Sequence, residues 1–348
     1  MEMVVEVKMS GNVAADEHPS LSVVVPVYNE SESIVQLYDE LVGVLDTLGR
    51  SYEVIFVDDG STDGSFGVLS DLCKRSKHLK VIRLRRNSGQ SAALSAGFDH
   101  ARGDLVVSMD GDLQNDPADI PRLLEKMTGG YDVVCGWRAN RKDPLSKKLF
   151  SKLSNILRHI LIRDKVHDYG CTLRVYKREC IKDFELFGEM HRYIPAMMAA
   201  NGYRVSEVKV NHRERRHGKS KYNWKRLFKG FTDLIVVTFW SRFATRPMHI
   251  FGTVGLLIST LGGLVSIYLI MERLFFNTRL SDKPLFTLSV LSVIIGIQFI
   301  ALGILADISI KAYYNQKKFK SYRIENTIGF NNDLTADSND FPHVPMTR

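Results

Sequence analysis

Three short stretches carry the residues that could do chemistry. Tyr28-Asn29-Glu30, Asp58-Asp59-Gly60-Ser61-Thr62-Asp63 and Asp110-Gly111-Asp112 each place polar or acidic side chains directly after an apolar run. One acidic strand end is commonplace, because Asp also caps helices. Three converging on one sheet edge exceed what capping needs. Asp110 and Asp112 lie two apart, so on an extended chain their carboxylates share a face, and Gln114 continues the same parity. Two carboxylates and an amide oxygen form a hard-oxygen donor set. Such a set suits Mg²⁺ or Mn²⁺, with phosphate oxygens completing the shell.

The elements that must position these residues follow from periodicity. Leu21–Val27, Tyr52–Val57, Leu79–Leu84, Asp104–Met109 and Tyr131–Cys135 read as strands. Ser31–Leu48, Ser65–Arg75, Ser88–His100 and Asp119–Thr128 read as the helices between them. Strands alternating with helices predict an α/β domain with a parallel or mostly parallel sheet. In such sheets ligands bind beyond the carboxyl ends of the strands, where the three clusters fall.

Charge and apolar content divide the 348 residues further. The net charge of +8 averages over opposites: residues 1–136 carry −10 and residues 137–226 carry +14. The four cysteines contain no CxxC pair, which argues against a zinc ribbon and a disulfide-stapled secreted fold. Ile250–Met271 and Leu285–Ala306 are each 22 residues without a charge. As helices they would be about 33 Å long, enough to cross a hydrocarbon core. Arg242 and Arg246 precede the first span, and Lys311, Lys317, Lys318 and Lys320 follow the second. That bias places both flanks, and hence both termini, in the cytoplasm. Met1–Ser20 has no apolar core followed by a cleavage site, so no signal peptide is expected. Trp224, Leu227, Phe228, Phe231, Leu234, Ile235 and Phe239 recur at helical spacing among charges, which predicts an amphipathic helix in the membrane interface. The expected organisation is an extension over 1–20, a cytoplasmic catalytic domain over 21–223 and an amphipathic juxtamembrane region over 224–248. Two membrane helices over 249–307 and a cytoplasmic tail over 308–348, loose after Tyr322, complete it.

At this point the chain resembles a known family. Val23-Val24-Val25-Pro26-Val27-Tyr28-Asn29-Glu30, Val57-Asp58-Asp59-Gly60-Ser61-Thr62-Asp63 and Asp110-Gly111-Asp112-Leu113-Gln114 are similar to the signatures of family 2 glycosyltransferases with the GT-A fold. More narrowly, it resembles the polyprenyl-phosphate glycosyltransferases. These include dolichol-phosphate mannose synthases, O-antigen glucosyl-carrier enzymes and undecaprenyl-phosphate aminoarabinose transferases. Asn87–Ala93, Asp168–Arg174 and Arg215–Tyr222 match the group too, the last two resembling the aminoarabinose branch most. The family normally has Ala where this chain has Gly111.

The resemblance implies roles residue by residue. Pro26, Tyr28, Glu30 and Asp58 would surround the base and ribose of a nucleotide-sugar, UDP-linked by the closer branch, with GDP as the alternative. Asp110, Asp112 and Gln114 would bind the metal and, through it, the diphosphate. Arg138 would lie near the reacting phosphates, and Lys147, Lys148 and Ser151 would hold the acceptor phosphate. Arg215 and Lys221 would border the site near the membrane. A homo-oligomer, a tetramer in relatives, is implied as well. Asp168 and Arg174 could form an internal ion pair apart from substrate. The reading is an inverting transferase acting on undecaprenyl or dolichyl phosphate at a lipid surface. Two alternatives stand beside it: a non-catalytic, membrane-tethered nucleotide-sugar-binding subunit and a polysaccharide synthase. The intact Asp110 and Asp112 weigh against the first, and no QxxRW motif supports the second. Nucleic acid is not expected as a partner, because the basic segment adjoins membrane spans.

Overall fold

The computed structural model describes residues 18–139, 166–182, 184, 186, 188, 190–213, 247–276, 283–315 and 320–330. They divide into two units, one holding the sheet and the other the apolar helices.

The first unit opens on β1 (Leu21–Val27), α1 (Ile34–Leu45), β2 (Tyr52–Asp58), α2 (Ser65–Arg75), β3 (Leu79–Leu84), α3 (Gln90–His100) and β4 (Leu105–Ser108). It continues through α4 (Ile120–Met127), β5 (Val133–Trp137), β6 (Arg174–Lys177), α5 (Ile194–Ala200) and β7 (Val205–Lys209). The strand order is β7-β5-β6-β4-β1-β2-β3-β8, where β8 is Ile324–Ile328. β1 pairs in parallel with both β2 and β4, and β2 with β3. β6 is antiparallel to β4 and β5, while β5 and β7 are parallel. This is the mostly parallel sheet expected of a GT-A fold.

The central strands are buried because helices cover both faces. Every residue of β2 is buried, and in β1 only Pro26 is partly exposed. Alternate residues serve opposite cores. Val23, Val25, Val27, Val54 and Phe56 pack with Ile34, Leu37 and Leu41 of α1, Leu69 of α2 and Leu123 of α4. Val24, Ile55 and Val57 pack with Ala92, Ala96 and Phe98 of α3 and with Ile194 and Met198 of α5. Each buried aliphatic side chain contributes about 1.5–3 kcal/mol, which fixes the strands' register. All four cysteines are buried thiols.

The described start of the tail, residues 320–330, departs from the expected looseness, and residues 331–348 lie outside the described residues. Ile324–Ile328 forms β8 and pairs antiparallel with β3. Tyr322 just ahead of it is buried and donates its hydroxyl to Asp99 at 2.6 Å. A polar edge strand with few buried side chains leaves little hydropathy signal, so the sequence reading missed it.

The second unit contains α6 (Pro247–Phe276) and α7 (Pro284–Asn315), longer at both ends than the uncharged runs. Both are long and apolar enough to span a membrane, and only 17% of each apolar window is buried. A soluble core helix would be mostly covered, yet Leu261, Leu264 and Leu274 are among many exposed side chains here. Gly255 and Gly262 on α6 and Gly296 on α7 let the helices approach closely. A Cβ at Gly255 would come within 2.5 Å of the Gly296 carbonyl. Ser266 and Ser289 hydroxyls meet at 2.7 Å across the pair. The amphipathic region over 224–248 lies outside the described residues.

Candidate functional site

The sheet reverses direction of growth at β1, whose neighbours are β2 on one side and β4 on the other. This is the topological switch point at which α/β sheets bind ligands. The loops beyond β1 and β2 are tied together there. The backbone N–H of Asn29 donates to Ser61 Oγ at 2.9 Å, and that of Thr62 to Asn29 Oδ1 at 2.8 Å. Glu30 N–H donates to Ser65 Oγ at 3.0 Å, and Ser31 N–H to Asp63 Oδ2 at 3.1 Å. Asn29 has φ 56°, a left-handed conformation that Asn tolerates better than most residues. Asp59 accepts the N–H groups of Ser88 and Gly89 at 2.7 and 2.8 Å, fixing the loop that starts α3. Tyr28 is exposed at this edge, whereas Asp58 is fully buried.

Asp110 and Asp112 come together by a turn, not by strand alternation. β4 stops at Ser108, and Leu113 takes φ 61°, so the parity argument does not carry through to Gln114. A buried leucine in that conformation is a strained position of the kind found at functional sites. The turn closes with Gln114 N–H donating to Asp112 Oδ1 at 3.2 Å. Burial first, and then the charge of Asp112, push the Asp110 carboxyl up to about 6. Gln90 Nε2 donates to Asp110 Oδ1 at 2.6 Å. Gly111 is where the turn brushes β1. A Cβ there would lie 2.7 Å from Val27 Cγ1 and 3.3 Å from the Pro26 carbonyl oxygen. Two mutually repelling carboxylates with an amide beside them in sequence suit a divalent cation, whose charge would remove the repulsion.

A second, cationic wall follows β5. Arg138 makes a bidentate pair with Asp168, Nε to Oδ2 at 2.7 Å and Nη2 to Oδ1 at 2.9 Å. Gly170 admits this geometry, since a Cβ there would meet Arg138 Nη2 at 2.6 Å. Burial alone would raise Asp168, but Arg138's hydrogen bonds and charge together hold it below the ordinary carboxylate value. Arg138 also draws Asp110 downward electrostatically. Asp168 thus pairs with Arg138 and not with Arg174, the partner the sequence left possible. Arg174 is buried and donates instead to the carbonyl oxygens of His191, Tyr169 and Arg192, at 2.7, 2.8 and 3.1 Å. β6 pairs antiparallel with β5 in the register Cys135↔Arg174, which orients Arg174 differently from the loop residue Asp168. A small cleft runs from Asp110 past Thr172 and Arg174 to His191.

The model of glycosyl transferase family 2 matches residues 22–184, which span the switch point and both walls. The chain is 38% identical over 307 residues to the dodecaprenyl-phosphate galacturonate synthase of Rhizobium johnstonii, covering 87% of this chain and 91% of that protein. The chain belongs to glycosyltransferase family 2. This glycosyltransferase is also 36% identical over 327 residues to the undecaprenyl-phosphate 4-deoxy-4-formamido-L-arabinose transferase of Pectobacterium atrosepticum, covering 93% of this chain and 98% of that one. Among solved structures it is similar to glucosyl-3-phosphoglycerate synthase from Mycobacterium tuberculosis, with a TM-score of 0.49 and 18% identity over 64% of this chain and 80% of that one.

In this family 2 glycosyltransferase the described structure gathers Pro26, Tyr28, Glu30, Asp58, Asp110, Asp112 and Gln114 at the carboxyl ends of three adjacent strands. Arg138 stands beyond β5, separated from β4 by β6. Lys147, Lys148, Ser151, Arg215 and Lys221 lie outside the described residues. The described stem before Arg215 is anchored beside the carboxylates: Arg213 N–H donates to the Gln114 carbonyl at 3.0 Å, and its guanidinium pairs with Glu40 and Asp116. Gln90, Asp168 and Arg174 carry no site role in the resemblance, although Asp168–Arg174 is one of the matching stretches. Gln90 lay within the matching Asn87–Ala93 stretch, which was its one signal.

Proposed function

We propose that this transferase moves a sugar from a nucleotide diphosphate, UDP in preference to GDP, onto a polyprenyl phosphate, with inversion at C1. The observation that carries the reading is the Asp110–Asp112 pair. At the switch point of a family 2 sheet, burial first and then the charge of Asp112 push the Asp110 carboxyl up to about 6. The named relatives, which act on dodecaprenyl and undecaprenyl phosphate, support the acceptor over nearly their whole length.

Asp110, Asp112 and Gln114 would hold Mg²⁺ or Mn²⁺, which when bound neutralises charge on the leaving diphosphate. Pro26, Tyr28, Glu30 and Asp58 receive the base and ribose. Arg138, locked by Asp168, presents a fixed cation to the phosphates. Lys147, Lys148 and Ser151 hold the acceptor phosphate, and Arg215 and Lys221 border the site near the lipid surface. The second pKa of that phosphate is roughly 6, as for other monoesters, so it arrives as a dianion and needs no general base. Its oxygen forms the new bond to C1 while the bond from C1 to the diphosphate oxygen breaks, and the diphosphate leaves with the electron pair. Attack from behind the leaving group gives inversion, and alignment supplies most of the acceleration.

The membrane placement has its own support. β8 follows the second apolar helix, yet it belongs to the same sheet as the strands that precede the first. A chain that leaves and rejoins one sheet favours two spans with both flanks on one side, and the flanking Lys and Arg favour the cytoplasm as that side.

The test is a panel of UDP- and GDP-sugars with purified full-length enzyme, Mn²⁺ or Mg²⁺, and a short polyprenyl phosphate. Labelled sugar is expected on the lipid, at inverted C1, and Asp112→Ala abolishes it. Transfer that persists in that variant under chelation, or a product of retained configuration, overturns the mechanism.

A further inference from the structure

The two ends of β2 treat their buried carboxylates differently. At the amino end, Glu53 is saturated. Ser22 Oγ and the Arg102 N–H donate to Oε1 at 2.5 and 2.7 Å, and Lys80 Nζ sits 2.6 Å from Oε2. At the carboxyl end, Asp58 Oδ1 accepts the Ser61 N–H at 3.0 Å, but Oδ2 is buried and accepts no hydrogen bond among the described residues. Its ionic contact is Arg83 Nε, at 3.7 Å.

Arg83 lies directly across from Asp58, on β3. It is drawn the other way. Its guanidinium lies over the Phe66 ring at 4.5 Å, and Nε is 3.1 Å from Glu325 Oε2, an ionic contact without hydrogen-bond geometry. Glu325 sits on β8, the strand that follows both apolar helices, beside Asn326, which pairs with Arg83. Two carboxylates thus share one guanidinium, and the exposed one holds it more closely.

We infer that Glu325 is a positioning residue of the donor site: it keeps Arg83 on Phe66, short of Asp58, and so leaves Asp58 Oδ2 for an N–H of the nucleotide. The inference rests on the reading of Asp58 as a nucleotide-binding carboxylate. Oδ2 is buried, so a nucleotide reaches it only when the side chains that cover it move aside. The nucleotide then meets either an open acceptor or one already taken by Arg83. Closing the pair needs a shift of only about 1 Å, since charge-assisted N–H···O bonds form near 2.8 Å. Removing the charge of Glu325 removes the competing pull. The strand after the membrane helices therefore sets how well the donor binds, besides closing the sheet.

The experiment titrates detergent-purified full-length enzyme with UDP in the presence of Mn²⁺, and with GDP where UDP shows no binding. Glu325→Gln is expected to weaken binding roughly three- to fivefold, the reach of a partly exposed ion pair. The Arg83→Met/Glu325→Gln double variant is expected to return it to the wild-type value, because the competitor is gone. A purely structural role for Glu325 would lower the melting temperature of both variants and give no rescue. Unchanged affinity in Glu325→Gln, or a double variant as weak as the single, overturns the inference. Unchanged affinity in Asp58→Asn overturns the reading of Asp58 beneath it, and wild-type enzyme that binds neither nucleotide overturns the donor assignment itself.

Discussion

Replacing Asp168 by Asn probes the cationic wall most directly. The change keeps the side-chain shape and an acceptor for the Gly170 N–H, which Asp168 binds at 2.9 Å. It removes the charge that faces the Arg138 guanidinium at 2.7 and 2.9 Å. Breaking a buried pair from one side costs about 3–5 kcal/mol, because the remaining charge stays buried alone. Solvent reaches 11% of the Arg138 side chain and 16% of Asp168, so the low end, about 3 kcal/mol, applies. For a soluble unit of this size that corresponds to a fall of about 6 °C or more in melting temperature. The assay is thermal unfolding in detergent of wild type, Asp168→Asn, Arg138→Gln and the double variant. Removing both charges is expected to recover part of the loss, since a buried pair exchanged for two neutral groups is often near neutral. Transfer is expected to fall about 100-fold in Asp168→Asn, the cost of letting a positioned cation move by about 1 Å. A melting temperature within about 2 °C of wild type, or single losses that simply add, would refute the coupling. An effect confined to donor affinity, with turnover intact, would show that Arg138 holds the nucleotide and not the reacting phosphates.

Two further outcomes follow from the acidic turn. Gly111→Ala is expected to destabilise the enzyme by about 1–3 kcal/mol and to lower transfer, because the new methyl meets Val27 Cγ1 at 2.7 Å. Val27→Ala in the same chain opens that space and is expected to restore activity, so a Gly111→Ala enzyme equal to wild type in melting point and turnover refutes the packing argument. The second outcome concerns pH. The folded carboxyl of Asp110 titrates near 6, above its unfolded value, so without metal its contribution to stability falls as pH rises from about 4 to 6. A divalent cation reverses that penalty only once the proton has left. The rise in melting temperature caused by Mn²⁺ is therefore expected to be small at pH 5, to grow through pH 6 and to level off above pH 7. An Mn²⁺ effect independent of pH across this range, or one retained in Asp110→Asn, contradicts it.

How much of the molecule its sequence revealed depended on burial. β1, β2 and β3 were legible as mostly apolar runs, interrupted at positions such as Ser22, Glu53, Lys80 and Arg83, because helices cover both of their faces. β6 was not, since Arg174 and Lys177 bracket its two apolar residues, and only the tertiary fold turns Arg174 inward onto backbone carbonyls. β7 and β8 lie at the sheet edges, where partly exposed sequences such as Val205–Lys209 and Ile324–Ile328 carry little period-two contrast. The Arg138–Asp168 pair joins residues thirty apart, through strand pairing that no local pattern encodes.

The carboxylates of the first 136 residues looked alike in sequence, and the fold sorts them by what it sets against each. Asp63 is pulled to about 2, its burial outweighed by hydrogen bonds from Ser65 and Ser31. Asp116 is held low against burial by Asn211, the Ala118 N–H and Arg213. These serve the scaffold, because their charge is met from within the chain. Asp110 is different: burial and Asp112 outweigh Thr172, Arg138 and Arg174, so its charge is left under-compensated. Asp58 keeps one buried oxygen without a hydrogen bond among the described residues. A fold that satisfies neighbouring carboxylates and spares these two concentrates its unmet demand for positive charge and N–H donors at the switch point. A metal-bound nucleotide diphosphate supplies both at once.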